Sequence, residues 1–266
     1  MKELYRATGI QRILATKSAL EADHLAVETL LRLHDQNGIF ASLLGTPSDL
    51  EALYVGHCIT EGFGRAEHDD ILIKSTPESG YDVISETTVL TKNDSHDPQR
   101  IVTSSCGACN APGLEVLVDG LPPYTGAHSM MDLAMLNHGL DEMKNLQIGF
   151  QKTGGMHGAG IMHPTDGILA VSEDIGRHNA VDKVVGTGVL NGVDFERAIL
   201  LLSGRCGWDI VAKAARSGIG TIVCVGACST LAADAARTLQ MRIYAFVKPD
   251  RCVAIGAHAT SSNGKP

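Results

Sequence analysis

The chain has 266 residues, 44% of them hydrophobic and 4% aromatic, with a formal net charge of −8. That length carries one large core or two small ones, a mean hydropathy of +0.06 is that of a folded globular chain, and the acidic balance excludes a nucleic-acid binder that works through a broad basic face. No apolar run approaches the roughly 20 residues of a membrane crossing, and no secretory h-region follows Met1. Seven cysteines are an odd number in a chain too large to need disulfide staples, so a cytoplasmic, reducing compartment is expected.

Up to about residue 110 the pattern predicts strands at 27–33, 39–44, 71–74 and 81–91. One helix interrupts them. Thr46-Pro47-Ser48-Asp49 offers a capping hydroxyl, a first-turn proline and a carboxylate near the positive end of the helix dipole, and Leu50, Leu53, Tyr54 and His57 then recur at helical spacing before Gly62. The polar stretch 92–100 reads as a surface loop leading to Thr103-Ser104-Ser105-Cys106-Gly107-Ala108-Cys109-Asn110. Gly107 and Ala108 keep two sulfurs close in a small loop, where donors or cations can lower a thiol pKa, so sulfur, redox or metal chemistry fits better than packing. The stretch from Pro112 to Pro123 is the expected linker. It divides a strand-rich N-terminal domain (1–115) from a second domain (116–266).

The second part is expected to run helix 126–139, strands 155–162 and 167–172, and helix 178–190. It then alternates strand 198–203, helix 207–217, strand 221–225, helix 229–239 and strand 242–247. Fully apolar strands between amphipathic helices imply a sheet covered on both faces and parallel in its later half. Loops 203–207, 226–230 and 248–251 then meet at the carboxyl edge, where open α/β sheets bind ligands. Helix starts supply unpaired N–H groups, and Arg177, Arg205, Lys248 and Arg251 sit in or near these loops, so the edge suits a phosphate or pyrophosphate.

A single C-x-x-C does not make a zinc site, Cys224 lies inside an apolar strand, and Cys58 and Cys252 read as small buried hydrophobes, so no metal is expected. His178 stands out because it starts a helix between Arg177 and Asn179, and with Asn179 it is expected to complete one wall of a nucleotide site. His157 follows the paired glycines Gly154-Gly155, and the sequence leaves it open between a core histidine and a ligand-binding one.

The element order resembles the cytidine-deaminase-like fold. The positions that carry H-x-E and P-C-x-x-C in deaminases read His178-Asn179-Ala180 and Ser203-Gly204-Arg205-Cys206, so the general acid/base and two metal ligands are missing and deaminase chemistry is excluded. A more specific resemblance rests on Cys106-Gly-Ala-Cys109, Thr153-Gly-Gly-Met-His157, Glu173-Asp-Ile-Gly-Arg177-His178-Asn179-Ala-Val-Asp182-Lys183, Ser203-Gly204-Arg205 and Phe246-Val247-Lys248-Pro249-Asp250-Arg251, in that order. From about residue 27 onward the chain is similar to the formate dehydrogenase accessory protein (FdhD) family.

That resemblance implies a sulfurtransferase acting as sulfur carrier. It would take persulfide sulfur from a cysteine desulfurase and pass it to the bis(molybdopterin guanine dinucleotide) molybdenum cofactor, held as substrate, for formate dehydrogenase as client. It also implies Cys106 as the persulfide carrier, Cys109 as its helper, 246–251 as the cofactor-binding stretch, a GDP-like nucleotide as partial mimic, and a homodimer. The chain departs from the family pattern at Asn110 and Asp250, where glycine is usual. Two other classes remain open on the residues: a dithiol redox protein, and a non-catalytic cofactor chaperone.

Overall fold

The computed structural model describes residues 4–64, 71–76, 80–85, 101–102, 117–128 and 131–257. Strands β1 (Tyr5–Ile13) and β2 (Ser18–Ala26) pair antiparallel as a separate ribbon. The sequence starts its strands at residue 27 and misses this ribbon. Most of its side chains are exposed on both faces, so no two-residue hydrophobic period marks it.

The next sheet comprises β3 (Thr29–Asp35), β4 (Gly38–Gly45), β5 (Leu72–Thr76), β6 (Gly80–Ile84) and β7 (Ile101–Val102), in the order β5-β6-β3-β4-β7. The part of the expected 81–91 strand beyond residue 85, and the 92–100 loop, lie outside the described residues. Leu31, Leu33, Leu43 and Val83 pack on helix α1 (Leu50–Thr60) through Leu50, Leu53, Tyr54 and Cys58. The start of α1 corrects the expected cap. Its first flanking residue is Asp49, in the left-handed region at φ 49° without a side-chain cap. The Thr46 hydroxyl instead accepts from the Ile175 N–H at 3.2 Å.

The third sheet has the order β13-β12-β11-β10-β8-β9, built from β8 (His157–His163), β9 (Gly167–Asp174), β10 (Ile199–Leu202), β11 (Thr221–Cys224), β12 (Arg242–Lys248) and β13 (Arg251–Gly256). β10, β11 and β12 are parallel, as their apolar runs predict. The antiparallel edge strand β13 follows a two-residue turn that the sequence reading leaves as the end of its last loop. Along β10, Leu200 and Leu202 face one side with helices α4 (Arg177–Leu190), α5 (Trp208–Arg216) and α6 (Thr230–Thr238). Ile199 and Leu201 face the other with α2 (Leu133–Leu146).

Helix α2 starts seven residues later than the expected 126, where the Asp132 carboxylate accepts from the Met135 N–H at 2.8 Å. A short helix α3 (Ile148–Thr153) follows and closes at Gly154, whose φ of 64° favours a residue without Cβ. The described end of the expected linker is docked rather than free. Leu121 joins the core below α4–α6, and the Tyr124 N–H donates to Leu239 O at 2.8 Å.

Helix α1 is apolar all round and is therefore covered on both sides. Its far side crosses α4 with backbones almost in contact. A methyl added at Gly56 would stand 2.6 Å from the Asp182 carbonyl carbon, and one at Gly186 2.6 Å from that of Ala52. This crossing joins the second and third sheets.

Candidate functional site

The carboxyl ends of β9, β10, β11 and β12 and the start of β8 share one edge of the third sheet. Backbone hydrogen bonds set the loops there side by side. The Gly226 N–H donates to Gly204 O and the Phe246 N–H to Gly226 O, both at 3.0 Å. The Ser203 hydroxyl accepts from the Gly158 N–H at 2.9 Å, which ties the start of β8 to the end of β10.

His157 lies at the centre of this edge. A methyl at Gly204 would stand 3.3 Å from its Nδ1, so the ring rests on the glycine backbone. Burial lowers its pKa from the ordinary imidazole value, and the nearby charges of Arg177, His178 and Arg205 lower it further. Those three groups therefore converge on His157, and an uncharged His157 can accept or donate a hydrogen bond among cations. His178 Nε2 bonds the Asp209 carboxylate, and Arg177 Nη2 is 3.9 Å from the same oxygen. Burial alone would raise Asp209, but the bond from His178 and the charges of His178 and Arg177 hold it below the usual carboxylate range. Sequence reasoning missed Asp209. Its position in the first turn of α5, facing a helix that starts with Arg177-His178, is a tertiary fact.

Helices α4 and α5 begin at Gly176 and Gly207, neither of which caps its helix with a side chain. By contrast, α6 is closed by the Ser229 hydroxyl, which accepts from the Ala232 N–H at 3.1 Å. Neither flanking residue caps its helix, although the Asp174 carboxylate accepts from the Gly176 N–H at 2.8 Å and the Asp209 carboxylate from its own backbone N–H.

The 246–251 stretch forms the end of β12, a bulge and the turn into β13. Phe246 has φ 52° and is 47% exposed, an uncommon backbone conformation for an aromatic residue at the carboxyl edge of the sheet. Phe246, Lys248 and Arg251 line a cavity of about 170 Å³ with Cys252 and Val253. Pro249 and Asp250 form the exposed turn. Val247 points the other way, into the core with Leu136 and Met143, so its side chain is not available to a ligand.

The acidic end of β9 and the body of α4 are spent on structure. Glu173 accepts from the Gly149 and Phe150 N–H groups at 2.8 and 2.7 Å and so holds the start of α3. Asp174 pairs with fully buried Lys183 at 2.6 Å and also accepts from the Thr46 N–H. Asn179, expected as part of a ligand wall, turns inward and donates to Leu44 O at 2.9 Å and to Asp174. Burial would raise the Asp182 carboxyl, but Lys213 at 2.6 Å and His57 at 2.9 Å outweigh it and hold it low. The Thr60 hydroxyl donates to Asp182 Oδ1 at 2.6 Å. Among the charged and polar side chains of the long motif, only those of Arg177 and His178 face the edge.

Cys106 and Cys109 lie outside the described residues. Cys58 is a buried residue of α1, and burial pushes its thiol up to about 12. Among the described residues no group of three or more His, Cys, Asp or Glu side chains is arranged to hold a metal, and no helix is long and apolar enough to cross a membrane.

The sequence model of the FdhD/NarQ family matches residues 26–259. A sulfur carrier protein FdhD of Picrophilus torridus is 32% identical over 234 residues, covering 86% of this chain and 88% of its own. One from Anaeromyxobacter dehalogenans is 31% identical over 247 residues, covering 86% and 85%. The crystal structure of a putative formate dehydrogenase accessory protein from Desulfotalea psychrophila superposes with a TM-score of 0.72, at 22% identity, over 96% of this chain and 97% of that one, and so shares the mixed α/β fold.

Proposed function

The chain belongs to the FdhD/NarQ family, and from that premise we propose that it is a sulfur carrier for formate dehydrogenase maturation. Cys106 takes sulfane sulfur from a cysteine desulfurase, assisted by Cys109. The sulfur then passes to the bis(molybdopterin guanine dinucleotide) molybdenum cofactor, which is bound as substrate. In the first step the Cys106 thiolate attacks the outer sulfur of the donor persulfide, the donor S–S bond breaks, and the donor cysteine leaves as thiolate.

The observation that carries this reading is the convergence of His157, Arg177, His178 and Arg205 beside two helix starts without side-chain caps, on a chain of net charge −8. Such an edge concentrates positive charge and N–H donors where a nucleotide diphosphate can be gripped. Phe246, Lys248 and Arg251 extend it toward β13, with the backbone of Ser203 and Gly204 between. GDP serves as a partial mimic of the substrate's nucleotide ends. The proposal further takes residues 116–266 as a cytidine-deaminase-like domain following a 1–115 domain, and the protein as a cytoplasmic homodimer.

Two measurements test it. Cys106→Ala should accept no sulfane sulfur from a desulfurase and cysteine and should not activate formate dehydrogenase, and undiminished transfer would refute the carrier role. Arg205→Ala should weaken GDP binding by about 1.5–3 kcal/mol, the scale of a hydrogen bond to a charged group. Unchanged calorimetric affinity there and in Arg251→Ala would remove the nucleotide site.

A further inference from the structure

Cys206 and Cys228, distant in sequence, are neighbours at the sheet edge. They form a parallel β-bridge between the loops after β10 and β11. The Cys206 N–H donates to Ala227 O at 2.9 Å, and the Ser229 N–H donates to Cys206 O at 3.1 Å, so Cys228 is clamped directly opposite. Bridged strands run about 4.8 Å apart, inside the roughly 4.4–6.8 Å Cα range that a disulfide spans. Bridge partners project to the same side, and the two thiols interact.

We propose that Cys228 and Cys206 form a dithiol centre, separate from Cys106 and Cys109, in which Cys228 attacks the sulfur–sulfur bond of a low-molecular-weight disulfide and Cys206 resolves the adduct into an internal disulfide.

The two positions divide the roles. Cys206 is only 1% exposed, whereas Cys228 is half-buried and opens to solvent immediately before Ser229, the cap of α6. The neighbouring Cys206 thiol draws the Cys228 pKa down against the effect of its partial burial, and Arg237 adds to the lowering. The neighbouring Cys228 and burial push Cys206 well up. The accessible sulfur is therefore the one that ionises, and the inaccessible one keeps its proton until it is needed. Cys224, buried at the end of β11, is assigned no step. Its thiol donates to Gly226 O at 3.3 Å and burial pushes it up to about 12.

The exchange balances with glutathione disulfide as oxidant. The Cys228 thiolate attacks one glutathione sulfur, the glutathione S–S bond breaks, and one glutathione leaves as thiolate and takes up a proton. Cys206 then releases its proton to solvent and attacks the Cys228 sulfur, expelling the second glutathione as thiolate. Two protein thiols are oxidised and one external disulfide is reduced to two thiols. The bond formed would fasten the loop bearing Arg205 to the loop bearing Gly226.

The test uses the reduced full-length chain incubated with glutathione disulfide, alkylated under denaturing conditions and mapped by peptide mass spectrometry. A linked pair of peptides containing Cys206 and Cys228, abolished by dithiothreitol, is expected. Cys206→Ser should arrest the reaction with one glutathione on Cys228, formed faster than the adduct at half-buried Cys252. Cys228→Ser should leave Cys206 unmodified. Recovery of both residues as free thiols from the oxidised wild-type chain would overturn the proposal without reliance on any variant, and so would glutathionylation of Cys228 no faster than that of Cys252.

Discussion

Replacing Gly186 by alanine sets two effects of opposite sign against each other. Gly186 lies inside α4, where alanine would ordinarily favour the helix by about 1 kcal/mol. The new methyl, however, would stand 2.6 Å from the carbonyl carbon of Ala52 and nearer still to its oxygen, both rigid backbone atoms of α1. Restoring a 3.4 Å contact to the carbonyl carbon alone requires α1 and α4 to part by about 0.8 Å, the nearer oxygen demands more, and a gap of that size forfeits at least a quarter to a half of each dispersion contact across the crossing. Overpacking of this kind costs roughly 1–3 kcal/mol or more. The crossing also positions Asp182 against His57, Thr60 and Lys213 within 2.6–2.9 Å, a network that tolerates little displacement. The steric side wins, and Gly186→Ala is expected to lose about 2 kcal/mol in urea denaturation followed by circular dichroism, with an unchanged m-value. A variant as stable as the parent, or more so, would refute the backbone-to-backbone packing.

Lys213→Met should destabilise the fold by about 3–5 kcal/mol, because it leaves the Asp182 carboxylate buried without its cation; denaturant midpoints check this. Asp82 is held below the usual carboxylate range, chiefly by its hydrogen bond from Arg32 and also by His34, against partial burial. Its contribution is therefore complete above the unfolded carboxylate pKa of about 3.9 and is lost as pH falls toward the lower folded value. Asp82→Asn should flatten the acid limb of the stability-versus-pH curve, and an acid limb as steep as the parent's would count against the pairing.

The parallel core of the third sheet was legible because four- to five-residue apolar runs separated by amphipathic helices admit few other packings. The same rule brings Ser203-Gly204-Arg205 and Phe246–Arg251 to one edge from the order of strands and helices alone. Local chemistry failed where a side chain had two available directions. Val247 and Phe246 are adjacent and both apolar, yet a bulge in β12 turns one into the core and leaves the other exposed. Thr46 carries the hydroxyl of a helix cap, but the chain delivers it to the N–H of Ile175, 129 residues away.

By itself the sequence determined the covered sheet, the family and the residue types at the carboxyl edge of the third sheet, since hydrophobic period and motif spacing are properties of neighbours along the chain. The tertiary structure alone decided that the run from Glu173 to Lys183 is split by function. Arg177 and His178 face the edge, while Asp174, Asn179, Asp182 and Lys183 turn inward to hold α1 and the second sheet in place. It also decided that Cys206 and Cys228 meet. Both outcomes depend on which element docks against a given helix face or strand end, and that choice is made by burial between segments more than a hundred residues apart in one case and by the alignment of two parallel strands in the other.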